Sequence, residues 1–254
     1  MEAQFLTDRG QVRECNEDSG GLFYNQSNQL LAIIADGMGG HSAGDIASEM
    51  AVSLLQKKWE QLEQFHAPEQ TEKWLSDVLS VINTSIYNYS LQKESYKGMG
   101  TTVVVAIAMN EFITIGHVGD SRCYIQNEAG FRQMTEDHSL VNELVRSGEI
   151  SEEEALVHPR KNIVLKALGT APEVTPDIKS MTWEVGNKLL LCSDGLTDKL
   201  TNDEIGAELN ISSQVDSTAK KMVQMANHRG GEDNISVIIV DYYSDVAKEG
   251  DESC

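Results

Sequence analysis

The chain has 254 residues, with 40 acidic against 20 basic side chains and a formal net charge of -20. A surface this acidic repels nucleic-acid phosphates and anionic lipids. We therefore expect neither nucleic acid nor a membrane as a partner. Hydrophobic residues make up 40%, which is typical of a soluble protein with a substantial core. MEAQFLTDRG does not resemble a signal peptide, and the cysteines form no CxxC pair, which favours a reduced, cytoplasmic protein.

The first third of the chain predicts two strands followed by two helices. AQFLTD indicates a short strand, and LLAIIAD a stronger one that ends at Asp36. Apolar residues then recur at helical spacing from Ser42, a candidate N-cap, to about residue 63. A second helix of the same kind is expected from about residue 69 to residue 91.

The rest of the chain is dominated by apolar strands. TTVVVAIAM, FITIGHV, RCYIQ and GFRQMT follow one another with breaks too short for crossover helices, so we expect them to be antiparallel. VVVAIA, KLLLCS and ISVIIV are apolar at nearly every position, which indicates strands covered on both faces. The pattern predicts an α+β fold in which two antiparallel sheets face each other, with helices packed outside.

Three further segments lie between or beyond these strands. Residues 136–169 are polar and irregular, with one short helix at SLVNELVRSG, and we interpret them as a surface flap or lid. Another helix is expected within residues 212–231, where it ends near a Gly-Gly pair. The acidic tail, residues 244–254, is expected to be disordered.

Two of the buried strands run directly into Asp-Gly pairs, at residues 36–37 and 194–195. Asp-Gly alone favours a hairpin turn, but here a helical pattern follows each pair. Asp120 and Asp233 border two more apolar strands, and DRGQVRECNED adds carboxylates near the N-terminus. Clustered carboxylates raise one another's pKa unless a cation neutralises them. Their oxygens favour Mg²⁺ or Mn²⁺, whereas the sequence has neither HExxH nor an EF-hand loop.

The motifs RECNED, DGMGGH, GMGTT, GHVGDSR, TEDHS, CSDGLTD and GGEDNISVIIV occur in this order along the chain. The set resembles that of the bacterial PP2C-type (PPM family) metal-dependent serine/threonine protein phosphatases, over about residues 4–242. The resemblance implies a four-layer α-β-β-α sandwich in one domain, residues 1–243. It also implies hydrolysis of phosphoserine and phosphothreonine in proteins by a metal-bridging hydroxide, which reverses a cognate serine/threonine kinase. We expect a cytoplasmic monomer.

The resemblance also implies a set of metal ligands. Asp36 would bridge two Mn²⁺ or Mg²⁺ ions, and the Gly37 carbonyl would bind one of them. Asp194 and Asp233 would hold the other ion. Bacterial members often have a third, weaker metal, for which Asp120 and Asp194 are the matching positions.

Further positions match residues that act on the phosphate or on water. Arg13 corresponds to the phosphate-binding arginine, with Asp18 nearby to orient it, and Glu17 to an acid that acts through water. Met38 occupies the position at which eukaryotic members have a histidine proposed as general acid. His41 lies three residues further on, and we do not assign it that role.

Two other functions are compatible with parts of the sequence. A binding-only pseudophosphatase would use the same fold as an interaction module, although it would be expected to lose one of the site residues that are intact here. A phosphatase could also serve one dedicated regulator, although no attached sensor domain is evident, which favours a general role.

Overall fold

Two antiparallel sheets stack on each other in the computed structural model, which describes residues 1–39, 43–211 and 214–243. The first sheet has the spatial order β1 (Glu2–Asp8), β11 (Ile235–Asp241), β10 (Lys188–Cys192), β7 (Arg122–Asn127) and β8 (Gly130–Gln133). The second has the order β2 (Asp18–Tyr24), β3 (Leu30–Met38), β5 (Val103–Ala108), β6 (Phe112–Val118) and β9 (Asp177–Thr182). The short β4 (Gly100–Thr101) pairs with the end of β3.

Helices cover the outer face of each sheet. The second sheet is covered by α1 (Gly44–Trp59) and α2 (Pro68–Ser90), which a 3₁₀ turn at Glu94–Tyr96 follows. The first sheet is covered by α6 (Asn202–Ile211) and α7 (Val215–His228), after the short α5 (Asp194–Thr197). The segment 136–169 contains α3 (Leu140–Arg146) and α4 (Glu152–Leu156). Among the described residues, no helix combines the length and apolarity that a membrane span requires.

Three apolar cores separate the layers, because the central strands bury both of their faces. Along β3, Leu31 and Ile33 pack against α1 and α2, while Ala32 and Ile34 pack between the two sheets. On the other side, Val237 of β11 packs towards α6 and α7. Side chains in a strand alternate between faces, so a continuous apolar run is the composition that such a central strand needs. The predicted α+β fold with four α-β-β-α layers is therefore confirmed.

Several boundaries differ from those expected. The first helix ends at Trp59 rather than near residue 63, because the amide of Leu62 turns back to the Trp59 carbonyl and the Leu62 carbonyl accepts from Gln26. Asp36 and Gly37 lie inside β3, which continues to Met38. The expected N-cap Ser42, His41 and the tail 244–254 lie outside the described residues.

The sequence pattern did not predict β2 or β9. The first contains two adjacent glycines, and the second is mostly polar and lies at a sheet edge. The segment 136–169 carries two short helices without a buried residue, and its interpretation as a lid stays a prediction. So does the assignment of residues 1–243 to a single domain.

Candidate active site

The core of the site is a pair of aspartates on neighbouring strands. Asp18 begins β2 and lies directly opposite Asp36 of β3 in the antiparallel register. Like charges in this relation destabilise a strand pair unless something else neutralises them. Asp18 is 8% exposed, and its Oδ2 accepts a 2.8 Å hydrogen bond from the hydroxyl of Ser193, at the end of β10. Asp18 therefore links the two sheets at this end of the sandwich.

Three more carboxylates come from neighbouring strand ends. Asp194 is the first residue of α5, separated by one residue from the end of β10. Asp233 precedes β11, which pairs with β10, and Asp120 follows β6. Burial raises the pKa of Asp36 well above its usual value, and the charges of the other four aspartates raise it further. Asp194 shows the same rise, caused first by burial and then by the charges of Asp120 and Asp233. The structure thus brings the predicted carboxylates together.

Two further aspartates of the cluster also have raised pKa values. Burial raises the pKa of Asp18 to about 6, although hydrogen bonds from Ser236 and Ser193 oppose the rise. Burial and the charge of Asp137 raise the pKa of Asp120 to about 6. Five aspartates at one end of the fold therefore carry more negative charge than the protein's own cations balance there.

Unpartnered oxygens test whether a metal ion suits this cluster. Oδ1 of Asp18 and Oδ1 of Asp194 are buried, and neither has a hydrogen-bond partner among the described residues. An ionised carboxylate oxygen only accepts, so these atoms cannot satisfy each other. Divalent cations with a preference for oxygen ligands supply the missing partner and the missing charge. The residues present therefore fit Mn²⁺ or Mg²⁺.

Arg13 lies at the rim of the cluster. Its Nη2 donates a 2.7 Å hydrogen bond to Oδ2 of Asp233, and its side chain remains 47% exposed. The structure therefore orients Arg13 through Asp233 rather than through the expected Asp18, whose carboxylate accepts from serine hydroxyls instead. The outward guanidinium can reach a phosphate in solvent while it stays next to a proposed metal ligand.

Asn234 positions the loop that carries Arg13. Its Nδ2 donates to the carbonyls of Arg9 and Cys15, and its Oδ1 accepts from the amide of Glu17. The loop between β1 and β2 is thereby tied to the start of β11, next to Asp233. Sequence reasoning did not single out Asn234, although it belongs to the motif GGEDNISVIIV.

The backbone of Glu17 fixes the position of Gly37. Its carbonyl accepts from the Gly37 amide at 3.1 Å and from the Ser48 hydroxyl at 2.6 Å. A Cβ on Gly37 would lie 2.2 Å from the carbonyl oxygen of Gly44, so only glycine fits. Burial raises the pKa of the Glu17 side chain, with a further contribution from Asp45.

A separate group of potential ligands consists of His117, His138 and Asp177, whose ligand atoms lie within 4.8 Å of one another. The His117 Nε2 donates to the Glu136 carbonyl, which fits a satisfied core histidine. Nδ1 of His138 accepts from the amide of Gly119, so its proton lies on Nε2, 3.3 Å from an Asp177 oxygen. The two rings also stack with an interplanar angle of 13°.

The four-layer sandwich with an arginine and clustered aspartates at one end defines a metal-dependent phosphatase. Comparison with known families agrees: the model for protein phosphatase 2C matches residues 8–238. The chain belongs to the protein phosphatase 2C family. It is a serine/threonine protein phosphatase, a hydrolase that acts on phosphoproteins, which confirms the predicted enzyme class.

Similar proteins cover nearly the whole chain. The serine/threonine phosphatase stp of Listeria monocytogenes is 46% identical over 241 residues, which are 95% of this chain and 96% of the relative. The crystal structure of Stp1 from Staphylococcus aureus has a TM-score of 0.90 at 41% identity, covering 96% of this chain and 95% of that one. The catalytic domain of PstP, in complex with two manganese ions, has a TM-score of 0.84 at 30% identity, covering 96% and 98%. These findings support the use of a divalent metal.

Proposed function

We propose that Asp36, the Gly37 carbonyl, Asp194 and Asp233 hold two Mn²⁺ or Mg²⁺ ions, and that Asp120 and Asp194 hold a third, weaker one. The observation that carries the assignment is the pair of buried carboxylates with strongly raised pKa values, Asp36 and Asp194, together with the unpartnered Oδ1 of Asp194. The two manganese ions bound by the catalytic domain of PstP support the number of tightly bound ions.

The protein's own groups prepare the phosphate ester for attack by water. Divalent ions held by Asp36, the Gly37 carbonyl, Asp194 and Asp233 would supply hydroxide near neutral pH from water. Arg13 binds two phosphoryl oxygens through its fork of N–H donors and neutralises charge that develops on them. Asp233 keeps that guanidinium in place through the 2.7 Å hydrogen bond.

The hydrolysis proceeds without a covalent intermediate on the enzyme. The P–O bond to the substrate serine or threonine breaks as the bond from the attacking oxygen forms, and the leaving oxygen takes up a proton. Met38 cannot supply that proton, and His41 lies outside the described residues. We propose that a water molecule supplies the proton.

We propose that the substrates are phosphoproteins and that the enzyme removes the phosphate groups that a cognate serine/threonine kinase adds. We also propose that it acts in the cytoplasm as a monomer. The absence of a span among the described helices and the net charge of -20 are consistent with a protein that works away from membranes and nucleic acids. The names of the Listeria and Staphylococcus relatives support the serine/threonine substrates.

Phosphate release from a phosphothreonine peptide tests the mechanism. We expect turnover with Mn²⁺, loss of turnover with excess EDTA, and recovery when Mn²⁺ is added back. Turnover that persists in EDTA would refute the metal mechanism. A folded protein without turnover in any condition would instead favour the binding-only pseudophosphatase.

A further inference from the structure

Thr102, between β4 and β5, holds the backbone of Asp36 on both sides. It is 1% exposed. Its amide donates to the Asp36 carbonyl at 2.8 Å, and its hydroxyl oxygen accepts from the Asp36 amide at 3.1 Å. Both backbone hydrogen-bonding groups of Asp36 thus bond to Thr102, and the bond to the Asp36 amide is made by the Thr102 side chain. The Asp36 carbonyl also accepts from the Thr101 hydroxyl at 2.9 Å, whereas the described partner of the Asp36 amide is Thr102.

The same side chain contacts the turn that carries Asp120. The Thr102 Oγ1 lies 2.7 Å from the Ser121 Oγ, and one hydroxyl donates to the other. On the other side of Asp120, Gly119 has a φ of +110°, and a Cβ there would lie 2.6 Å from Cβ and Cγ2 of Thr102. Both neighbours of Asp120 therefore pack against or bond to Thr102.

His138 secures this turn from the opposite side. Its Nδ1 accepts from the Gly119 amide at 3.1 Å, and its own amide donates to the Gly119 carbonyl at 3.0 Å. The turn is therefore clamped between His138 and Thr102. Of these two residues, only Thr102 also reaches Asp36 through a described hydrogen bond.

We propose that Thr102 is a positioning residue that sets Asp36 and Asp120 in one fixed relation, so that metal binding at the two aspartates is coupled through its hydroxyl. The inference rests on the proposed ligand roles of Asp36 and Asp120. A carboxylate ligand binds an ion well only when its backbone is held at the required distance from the other ligands. Loss of an outer residue that orients a ligand typically weakens metal binding about 10- to 100-fold.

The test is calorimetric titration of the metal-free protein with Mn²⁺ alone, without substrate. We expect Thr102→Val, which keeps the shape and removes the hydroxyl, to weaken Mn²⁺ binding about 10-fold or more. Thr102→Ser, which restores the hydroxyl, should bind Mn²⁺ nearly as tightly as the original protein. If the valine and serine variants bind Mn²⁺ with equal affinity, whether that affinity is unchanged or weakened, the inference is overturned.

A matched control separates positioning from general destabilisation. Thr114 is also fully buried, and its hydroxyl lies 2.6 Å from that of Thr71 and 2.8 Å from that of Ser180, away from the aspartates. We expect Thr114→Val to lower the melting temperature while leaving Mn²⁺ affinity unchanged. If Thr114→Val weakens Mn²⁺ binding as much as Thr102→Val does, the positioning role is refuted.

Two further variants test the coupling and the underlying site. Thr102→Val should weaken Mn²⁺ binding less in the Asp120→Asn variant than in the original protein. The reason is that the turn next to Thr102 no longer carries a metal ligand in that variant. If Thr102→Val lowers the Mn²⁺ affinity by the same factor with Asp120 and with Asn at position 120, the coupling is refuted. If Asp36→Asn binds Mn²⁺ normally, the proposed ligand set fails; if Asp36→Asn loses Mn²⁺ but Thr102→Val keeps it, only the present inference fails.

Discussion

Buried and half-buried acids occur in two contrasting regions at the same end of this fold. Asp137 has its own cation: Arg122 donates to its two oxygens at 3.0, 2.9 and 2.6 Å, and Gln133 adds a bond at 3.0 Å. Asp36 and Asp194 have no comparable partner among the described residues, and their pKa values are raised well above normal, by burial first and then by neighbouring aspartates. The first region is complete as a protein structure. We propose that cations from solution complete the second.

The strongest test of this contrast removes one acid from the unbalanced region. We expect Asp36→Asn or Asp194→Asn to lower phosphatase activity more than about 100-fold, because a proposed metal ligand is lost. A factor of about 100 is the upper end of the loss for residues that only orient a metal ligand. The fold should persist, since the substitution relieves repulsion between buried carboxylates. Peptide turnover and circular dichroism measure the two effects. Normal turnover by either variant would contradict the ligand assignment.

The balanced region should respond in the opposite way. Arg122→Met leaves the half-buried Asp137 without its cation, and we expect the free energy of unfolding to fall by about 3 kcal/mol. Urea unfolding of the metal-free protein gives that value. Adding Asp137→Asn should recover part of the loss, because the uncompensated charge disappears. If Arg122→Met alone is as stable as the original protein, Arg122 does not compensate the charge of Asp137.

Arg13 should act on substrate rather than on metal. Its guanidinium is exposed on one side and bonded to Asp233 on the other. We expect Arg13→Ala to raise KM about 10-fold through the loss of charged hydrogen bonds to phosphate. Mn²⁺ titration of the same variant should give an unchanged affinity. Unchanged kinetics would remove Arg13 from the site, and lost metal binding would reassign it to the metal centre.

The smallest effect concerns a compensated acid on the surface. Hydrogen bonds from Arg229 and Thr201 lower the pKa of Glu204 from its usual 4.5 to about 2. A depressed pKa stabilises the fold above the usual value, and this stabilisation is lost as pH falls from about 4.5 towards 2. Melting temperatures of Glu204→Gln should therefore differ slightly from those of the original protein at pH 7 and converge near pH 2. Glu60→Gln, which removes an exposed acid bonded to Gln56, serves as the control. A difference that grows on acidification would contradict this sign.

The apolar strands could be predicted because composition follows burial directly. VVVAIA is apolar at every position and ISVIIV at every position but one, and the structure buries them between layers on both faces. By contrast, β2 could not be predicted. Its two glycines have little strand preference, and its place is decided by pairing with β3, which sets Asp18 against Asp36.

The candidate site divides in the same manner. Asp36, Asp120, Asp194, Asp233 and Arg13 could be selected from the sequence because each belongs to a recognisable motif or borders one. The orientation of Arg13 could not, because Asp233 is 220 residues away along the chain. The role of Asn234 was likewise invisible, since its partners lie in the loop before β2.

The sequence by itself determined the layered α+β fold, the acidic strand ends and the family, because apolar runs and ordered motifs are local patterns. Only the tertiary structure decided which acids share a site, which of them receive a protein cation, and that Thr102 lies between Asp36 and the Asp120 turn. The physical reason is that burial and charge compensation are properties of neighbours in space. Those neighbours come from strands that the chain brings together only when both sheets have formed.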